Sequence, residues 1–237
     1  MAEINFHNLD CMEFMKDCED NQYDLAIVDP PYGINAPKMQ MGTNINRRGK
    51  GQYPGESTAS KLRKGRLNQG AGKLKNRALN TMNCEWDTIV PSSEYFKELV
   101  RISKNQIIWG GNYFDLPPTR CIICWDKMQP WDNFSQWEMA WTSFDKPASI
   151  FRFSNTGGAN AETKIHPTQK PVEMYRWILS KYGQAGDKII DTHGGSMSIA
   201  IACDNMGFDL DVCEIDASYF NAGVLRFKEY KRQLKMF

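Results

Sequence analysis

The chain has 237 residues, 41% hydrophobic and 24% charged, with a formal net charge of +1. That length suits one well-buried α/β domain. No apolar run reaches the ~18 residues of a membrane span, and Glu3 and Asn5 stand where a signal peptide would carry basic and then apolar residues, so a cytoplasmic protein is expected. Seven cysteines and three histidines include one CxxC, Cys121-Ile122-Ile123-Cys124, whose strand alternation sends its thiols to opposite faces; neither a metal site nor a disulfide is expected.

In chain order, Tyr23 to Val28 is short, apolar and followed by turn residues, which predicts a buried strand. Residues 36–80 then hold eleven Lys and Arg against the single acid Glu56, a net +10, so the rest of the chain sums to −9. This segment is rich in Gly, Asn, Gln and Ser and lacks hydrophobic periodicity, which predicts a flexible insertion outside the core. Ser92 to Ser103 is predicted helical, with Tyr95, Phe96, Leu99 and Val100 on one face. Gln106 to Trp109 and Cys121 to Trp125 are predicted strands. Pro171 suits a first helical residue, and Val172, Tyr175, Leu179 and Tyr182 define the buried face behind it. A strand (Lys188 to Asp191), a glycine turn, a helix (Ser198 to Met206), a strand (Asp209 to Cys213) and a helix after Asp216 complete a βαβα series. The alternation predicts a doubly wound, mainly parallel sheet.

Two places in this sheet carry chemistry. Asp29-Pro30-Pro31-Tyr32 follows the Leu25-Ala26-Ile27-Val28 run, at the strand end where open α/β sheets bind ligands. Asp191 ends a second strand, Gly194 and Gly195 make its turn, and Glu214 lies about 20 residues on, where an acid accepts from ribose hydroxyls. A dinucleotide would favour the full GxGxxG pattern, which is absent; S-adenosylmethionine has a ribose and no pyrophosphate, and does not need the last glycine. The competing reading of this segment is a plain strand-turn-helix connection with Glu214 a surface acid.

Together, Asp29 to Tyr32, His166-Pro167-Thr168-Gln169-Lys170-Pro171, Asp191-Thr192-His193-Gly194-Gly195-Ser196, Glu214-Ile215-Asp216, Tyr219 and Arg226 resemble the amino-group DNA methyltransferases. The order is that of the permuted group, in which the DPPY motif precedes the glycine motif. Asn8-Leu9-Asp10-Cys11 is similar to the family's N-terminal cofactor segment, so the match spans nearly the whole chain. Here His193 replaces the aromatic residue of the family's glycine motif and Met197 its last glycine.

The resemblance implies a single Rossmann-like domain over 1–237 that transfers methyl from S-adenosylmethionine to DNA. The cofactor contacts it implies are Asp10, Cys11, Asp29, His166, Thr168, Lys170, Asp191, His193, Gly194, Gly195, Ser196, Glu214 and Ile215. Asp10 could equally cap the helix beginning at Cys11, and Thr168 and Lys170 could simply set the turn into the Pro171 helix. Asp29 and the Pro30 carbonyl would accept the target amino hydrogens, Pro30 and Pro31 would stiffen the loop, and Tyr32 would stack on a flipped base. Asp at the first DPPY position favours adenine N6, with cytosine N4 the alternative. Cytosine carbon-5 chemistry is excluded because the chain has no Pro-Cys dipeptide. The aromatic series Trp125, Trp131, Phe134, Trp137 and Trp141 is read as core and flap packing.

Double-stranded DNA is the expected partner, through Arg47, Arg48, Lys50, Lys61, Arg63, Lys64, Arg66, Lys73, Lys75 and Arg77 of the 36–80 segment. The resemblance leaves room for a homodimer and for a cognate restriction enzyme. Rival readings are a catalytically silent DNA-binding relative, and methyl transfer to RNA or to a protein glutamine.

Overall fold

The computed structural model describes residues 2–35, 86–128, 135–154 and 164–234. The 36–80 segment, with its ten proposed DNA-contacting residues, and Trp131 and Phe134 lie outside them. In chain order the elements are β1 (Ile4–His7), α1 (Cys11–Lys16), β2 (Tyr23–Val28), α2 (Ser93–Ile102), β3 (Ser103–Trp109), β4 (Ile122–Asp126), β5 (Trp137–Thr142), β6 (Ser149–Arg152), α3 (Val172–Tyr182), β7 (Lys188–Asp191), α4 (Ser198–Met206), β8 (Asp209–Cys213) and α5 (Ala217–Leu234).

They form an eight-stranded sheet in the order β1-β8-β7-β2-β3-β5-β4-β6. All pairings from β1 to β3 are parallel; β5 runs antiparallel to both β3 and β4. β2 sits mid-sheet, which is why its run is apolar on both faces. Strand alternation divides its side chains between two cores. Leu25, Ile27, Ile107, Trp109 and Ile189 pack with Met174, Tyr175, Ile178 and Ala200 of α3 and α4. Ala26, Val28, Ile108 and Ile190 pack with Met15 of α1 and Tyr95, Leu99 and Ile102 of α2. Helices on both faces of a mainly parallel sheet make the Rossmann-like, doubly wound fold the alternation predicts.

Three local expectations need correction. On α2 the buried face runs through Tyr95, Leu99 and Ile102, whereas Val100 is 53% exposed. Pro171 is not inside α3 but precedes it with extended ψ of 145°, so the helix starts at Val172. Cys121 lies just before β4 and only Cys124 within it.

From β2 the chain winds outward through α2 to β3, and from β7 it winds the other way through α4 to β8. The switch falls between β7 and β2, which pair directly at Leu25↔Ile189 and Ala26↔Ile190. The carboxyl ends of these two strands open a crevice at that point. Among the described residues no helix is long and apolar enough to cross a membrane.

Candidate active site

Asp29 begins the loop that leaves β2. Its Oδ1 accepts from the Tyr32 hydroxyl at 2.6 Å, and its Oδ2 pairs with the Lys170 ammonium. Burial, with Glu138 nearby, raises its pKa above the ordinary value, and Lys170 opposes that rise. Pro30 is buried, and Pro31 and Tyr32 half-buried. The Tyr32 ring stacks on Tyr113, centroids 4.9 Å apart and planes 13° from parallel. It also passes so close to Gly110 that a Cβ there would stand 2.2 Å from it, and φ at Gly110 is +70°. Only glycine meets both demands.

A carboxylate outside the motif holds the loop's backbone. Asp87 Oδ1 accepts from the N–H groups of Tyr32 at 2.6 Å and Gly33 at 2.9 Å, and the Asp87 carbonyl accepts from Asn35 N at 2.8 Å.

Lys170, expected from sequence on the cofactor side, is turned to the loop. Its Nζ lies 3.4 Å from Glu138 Oε2 and 3.3 Å from Tyr32 Oη, beyond its bond to Asp29. The other Glu138 oxygen pairs with Lys127. Burial acts to raise the Glu138 pKa and is overcome by Lys170 and Lys127, which hold it at about 2. Lys170 is itself held above its ordinary value by Asp29 and Glu138, against the effect of burial. Sequence reasoning missed Glu138, Lys127, Asp87 and Tyr113, none of which belongs to a recognisable motif.

Across the crevice, the N–H groups of the turn after β7 are taken up within the turn and by the end of β8. His193 N donates to Asp191 Oδ1 at 2.9 Å, Gly195 N to Glu214 Oε2 at 2.8 Å, Gly194 N to Cys213 O at 2.7 Å and Met197 N to Gly194 O at 2.8 Å. These donors are not free to cradle a phosphate, and the carboxyl oxygens of Asp191 and Glu214 beside them favour a hydroxyl-bearing ligand. That set of acceptors fits the ribose of S-adenosylmethionine. A Cβ on Gly194 would stand 2.5 Å from Val212, whereas at Gly195 it would make ordinary contact with the His166 ring at 3.7 Å, so the turn is tightly packed at Gly194 and lies against His166 at Gly195.

The two departures from the family pattern have local explanations. His193 is used as an aromatic residue: its ring meets the Tyr95 edge at 5.4 Å, its Nδ1 lies 2.9 Å from Thr192 Oγ1, and burial lowers its pKa to about 4 against the pull of Asp10. Met197 takes the left-handed conformation (φ 57°) that glycine would favour. Its side chain is fully buried, packed beside Gly194 and Gly223, where a Cβ would strike it.

The remaining predicted residues gather round the same crevice. Asp10 caps α1, accepting from Met12 N at 2.7 Å, and burial followed by Asp10 pushes the Cys11 thiol up to about 12. The His166 ring stands 4.3 Å from Tyr219 and 5.1 Å from Trp86; burial and Lys170 keep it neutral, with its pKa lowered to about 3. Thr168 Oγ1 lies 3.2 Å from His166 Nδ1, and Ser196 Oγ lies 3.0 Å from Ser198 Oγ. Arg226 donates to Ser196 O at 2.8 Å. Ile215 is exposed, and its carbonyl accepts from Asn8 Nδ2 at 3.3 Å. Among the described residues no three His, Cys, Asp or Glu side chains are placed to hold a metal ion.

A Rossmann-like sheet with an Asp-Pro-Pro-Tyr loop and a carboxylate-lined turn at its switch point defines a methyltransferase. The N6/N4 methyltransferase family model, described as DNA methylase, matches residues 23–224, and the chain belongs to this family of amino-group DNA methyltransferases. Its methyl donor is S-adenosylmethionine and its substrate DNA. The chain is 22% identical over 235 residues to the type II methyltransferase M2.MboI of Moraxella bovis, covering 84% of this chain and 78% of that relative. It is also 22% identical over 242 residues to the type II methyltransferase M.BglII of Bacillus subtilis, covering 90% of this chain and 66% of that one. Among solved structures, the PvuII DNA methyltransferase (cytosine-N4-specific) superposes with a TM-score of 0.56 at 13% identity, over 96% of this chain and 87% of that one. The complex of M1.HpyAVI with S-adenosylmethionine superposes with a TM-score of 0.52 at 15% identity, over 94% and 99%. At these identities the likeness carries the fold alone.

Proposed function

We propose that the protein methylates the exocyclic N6 amino group of an adenine flipped out of duplex DNA. The observation that carries this reading is Asp29, a half-buried carboxylate in a rigid loop at the switch point, across the crevice from the turn that suits the cofactor. When bound, S-adenosylmethionine supplies an electrophilic methyl group on a sulfonium centre. An exocyclic amine is a poor nucleophile because its lone pair is delocalised into the ring. Asp29 and the Pro30 carbonyl accept its two hydrogens, favour the tetrahedral nitrogen that frees the lone pair, and oppose the positive charge that develops there. Tyr32 offers a ring for the base to stack on, which offsets part of the few kcal/mol lost on unstacking.

Around the cofactor, Asp191, Glu214 and the 193–196 turn form one wall, and Asp10, Cys11, His166 and Thr168 the rim. The whole chain acts as one domain, and the cations between 47 and 77 hold the DNA backbone. A restriction enzyme of matching specificity and a second copy of the chain are the proposed protein partners, the former because both relatives described above are type II methyltransferases.

The preference for adenine rests on Asp rather than Ser at position 29. The same two acceptors would serve cytosine N4, which is the second reading. Tritium transfer from labelled S-adenosylmethionine to unmethylated duplex DNA, followed by nucleoside analysis, decides between them. Label is expected in N6-methyldeoxyadenosine and is expected to fall below detection in Asp29→Ala. Label in cytosine would replace the base assigned, and full transfer by Asp29→Ala would remove Asp29 from the chemistry.

A further inference from the structure

Behind Asp29, four charges of alternating sign run into the protein: Asp29, Lys170, Glu138 and Lys127. Asp29 leaves β2, Lys170 precedes α3, Glu138 stands on β5 and Lys127 follows β4. Both lysine side chains are only 3% exposed. A buried lysine needs a compensating charge, but one carboxylate would meet that need. Lys170 has two, Asp29 Oδ2 and Glu138 Oε2, the latter at 3.4 Å. With Tyr32 Oη at 3.3 Å there is a partner for each of its three N–H donors. Glu138 is in turn divided between Lys170 and Lys127.

We propose that Glu138 and Lys127 are positioning residues for the transfer: Glu138 shares the Lys170 ammonium with Asp29 and so weakens its hold on the carboxylate that must accept the amino hydrogens of the base, while Lys127 limits the share that Glu138 takes. The inference rests on the role given to Asp29 above. Without Glu138, Lys170 would close a one-to-one ion pair with Asp29, and the amine would compete against a full ammonium for the same oxygens. Lys127 sets the balance from the far end: without it, Glu138 holds Lys170 more tightly and adds an uncompensated negative charge behind Asp29.

Among the described residues, the other ionisable groups facing these four are the hydroxyls of Tyr32 and Tyr175, Asp191 at the end of β7, and His166 beside Lys170. None of them is altered by the substitutions below. A role confined to holding β4 and β5 against β2 would change stability in both variants and would not move Asp29 in opposite directions.

The experiment is a carbon-13 NMR titration of the Asp29 carboxyl in the full-length protein, assigned with Asp29→Asn. In Glu138→Gln the Asp29 midpoint is expected to fall by about one unit, and in Lys127→Met to rise by a similar amount, the scale of one charge added or removed nearby. At saturating cofactor and DNA, the acid limb of kcat is expected to move the same way, and kcat of Glu138→Gln to drop about tenfold, the equivalent of that unit. KM for S-adenosylmethionine should stay the same.

The double variant Glu138→Gln, Lys127→Met removes the two charges as a pair. It is expected to give a midpoint between those of the single variants, and Glu138→Met or Lys127→Gln replaces a single variant that fails to melt cooperatively. Midpoints within 0.3 of wild type in the single variants, or shifts of one sign in both, would overturn the proposal. The titration does not depend on turnover, so a wrong role for Asp29 shows separately, as methyl transfer that survives Asp29→Ala.

Discussion

Asp191 has the clearest pH signature of any single residue here. It is 1% exposed, and burial, with Asp29 and Glu214 nearby, raises its pKa to about 8, while the His193 N–H and Lys170 oppose the rise. The unfolded chain loses this proton near pH 3.9. Between about pH 4 and pH 8 the folded protein therefore keeps a proton that the unfolded chain has released. The unfolded state binds fewer protons, so stability falls as pH rises through that window, by at most about 1.4 kcal/mol per unit. Asp191→Asn stays neutral throughout, and its melting temperature is expected to decline less between pH 5 and pH 8 than that of wild type without cofactor. Parallel declines would show that Asp191 is ionised in the fold. At this scale the motif residues were legible because each sits at a strand end or a turn, where sequence pattern and ligand chemistry coincide. Glu138 and Lys127 were not legible, because an ion pair formed across a sheet leaves no local signature. Lys170 was legible as a site residue, but its direction was not.

The element most sensitive to a neighbour is the loop after β2. Asp87 Oδ1 takes the N–H groups of Tyr32 and Gly33, so segment 86–90 serves as a clamp. Asp87→Asn keeps an acceptor oxygen for both donors. Asp87→Ala strands them, at a cost of about 2 kcal/mol, which in a chain of this length lowers the melting temperature by roughly 4 to 8 °C. The Ala variant is also expected to lose kcat while its KM for S-adenosylmethionine stays near wild type, because the loop moves and the cofactor wall does not. Equal kcat in the Asn and Ala variants would show that the clamp has no part in catalysis. The long central elements were legible from the apolar run of β2 and the helical periodicity of α3. β1, β5 and β6 were not. β1 and β6 have four residues each, too few for a period to register, and β5 carries Glu138 into a half-buried position that a reading by polarity assigns to solvent.

For the whole molecule the open quantity is what the basic segment does for DNA binding. The described chain leaves the site at Asn35 and re-enters at Trp86, and the Asn35 N–H donates to the Asp87 carbonyl at 2.8 Å. The two stubs are therefore held side by side, and a short linker can join them without pulling on the sheet. Removing residues 42–76 takes out nine Lys and Arg and one acid, which changes the formal net charge from +1 to −7. If these cations neutralise phosphates, each one lost flattens the dependence of log affinity on log salt by about 0.9. The shortened protein is expected to bind duplex DNA weakly and with a shallow salt slope, while binding S-adenosylmethionine as tightly as the full chain. A full-length variant with Lys61, Arg63, Lys64 and Arg66 changed to Ser separates charge from length: it should lose roughly four such increments of slope if all four meet phosphate. Unchanged DNA affinity and slope in both proteins would move the DNA contact off this segment and onto the face of the sheet domain itself.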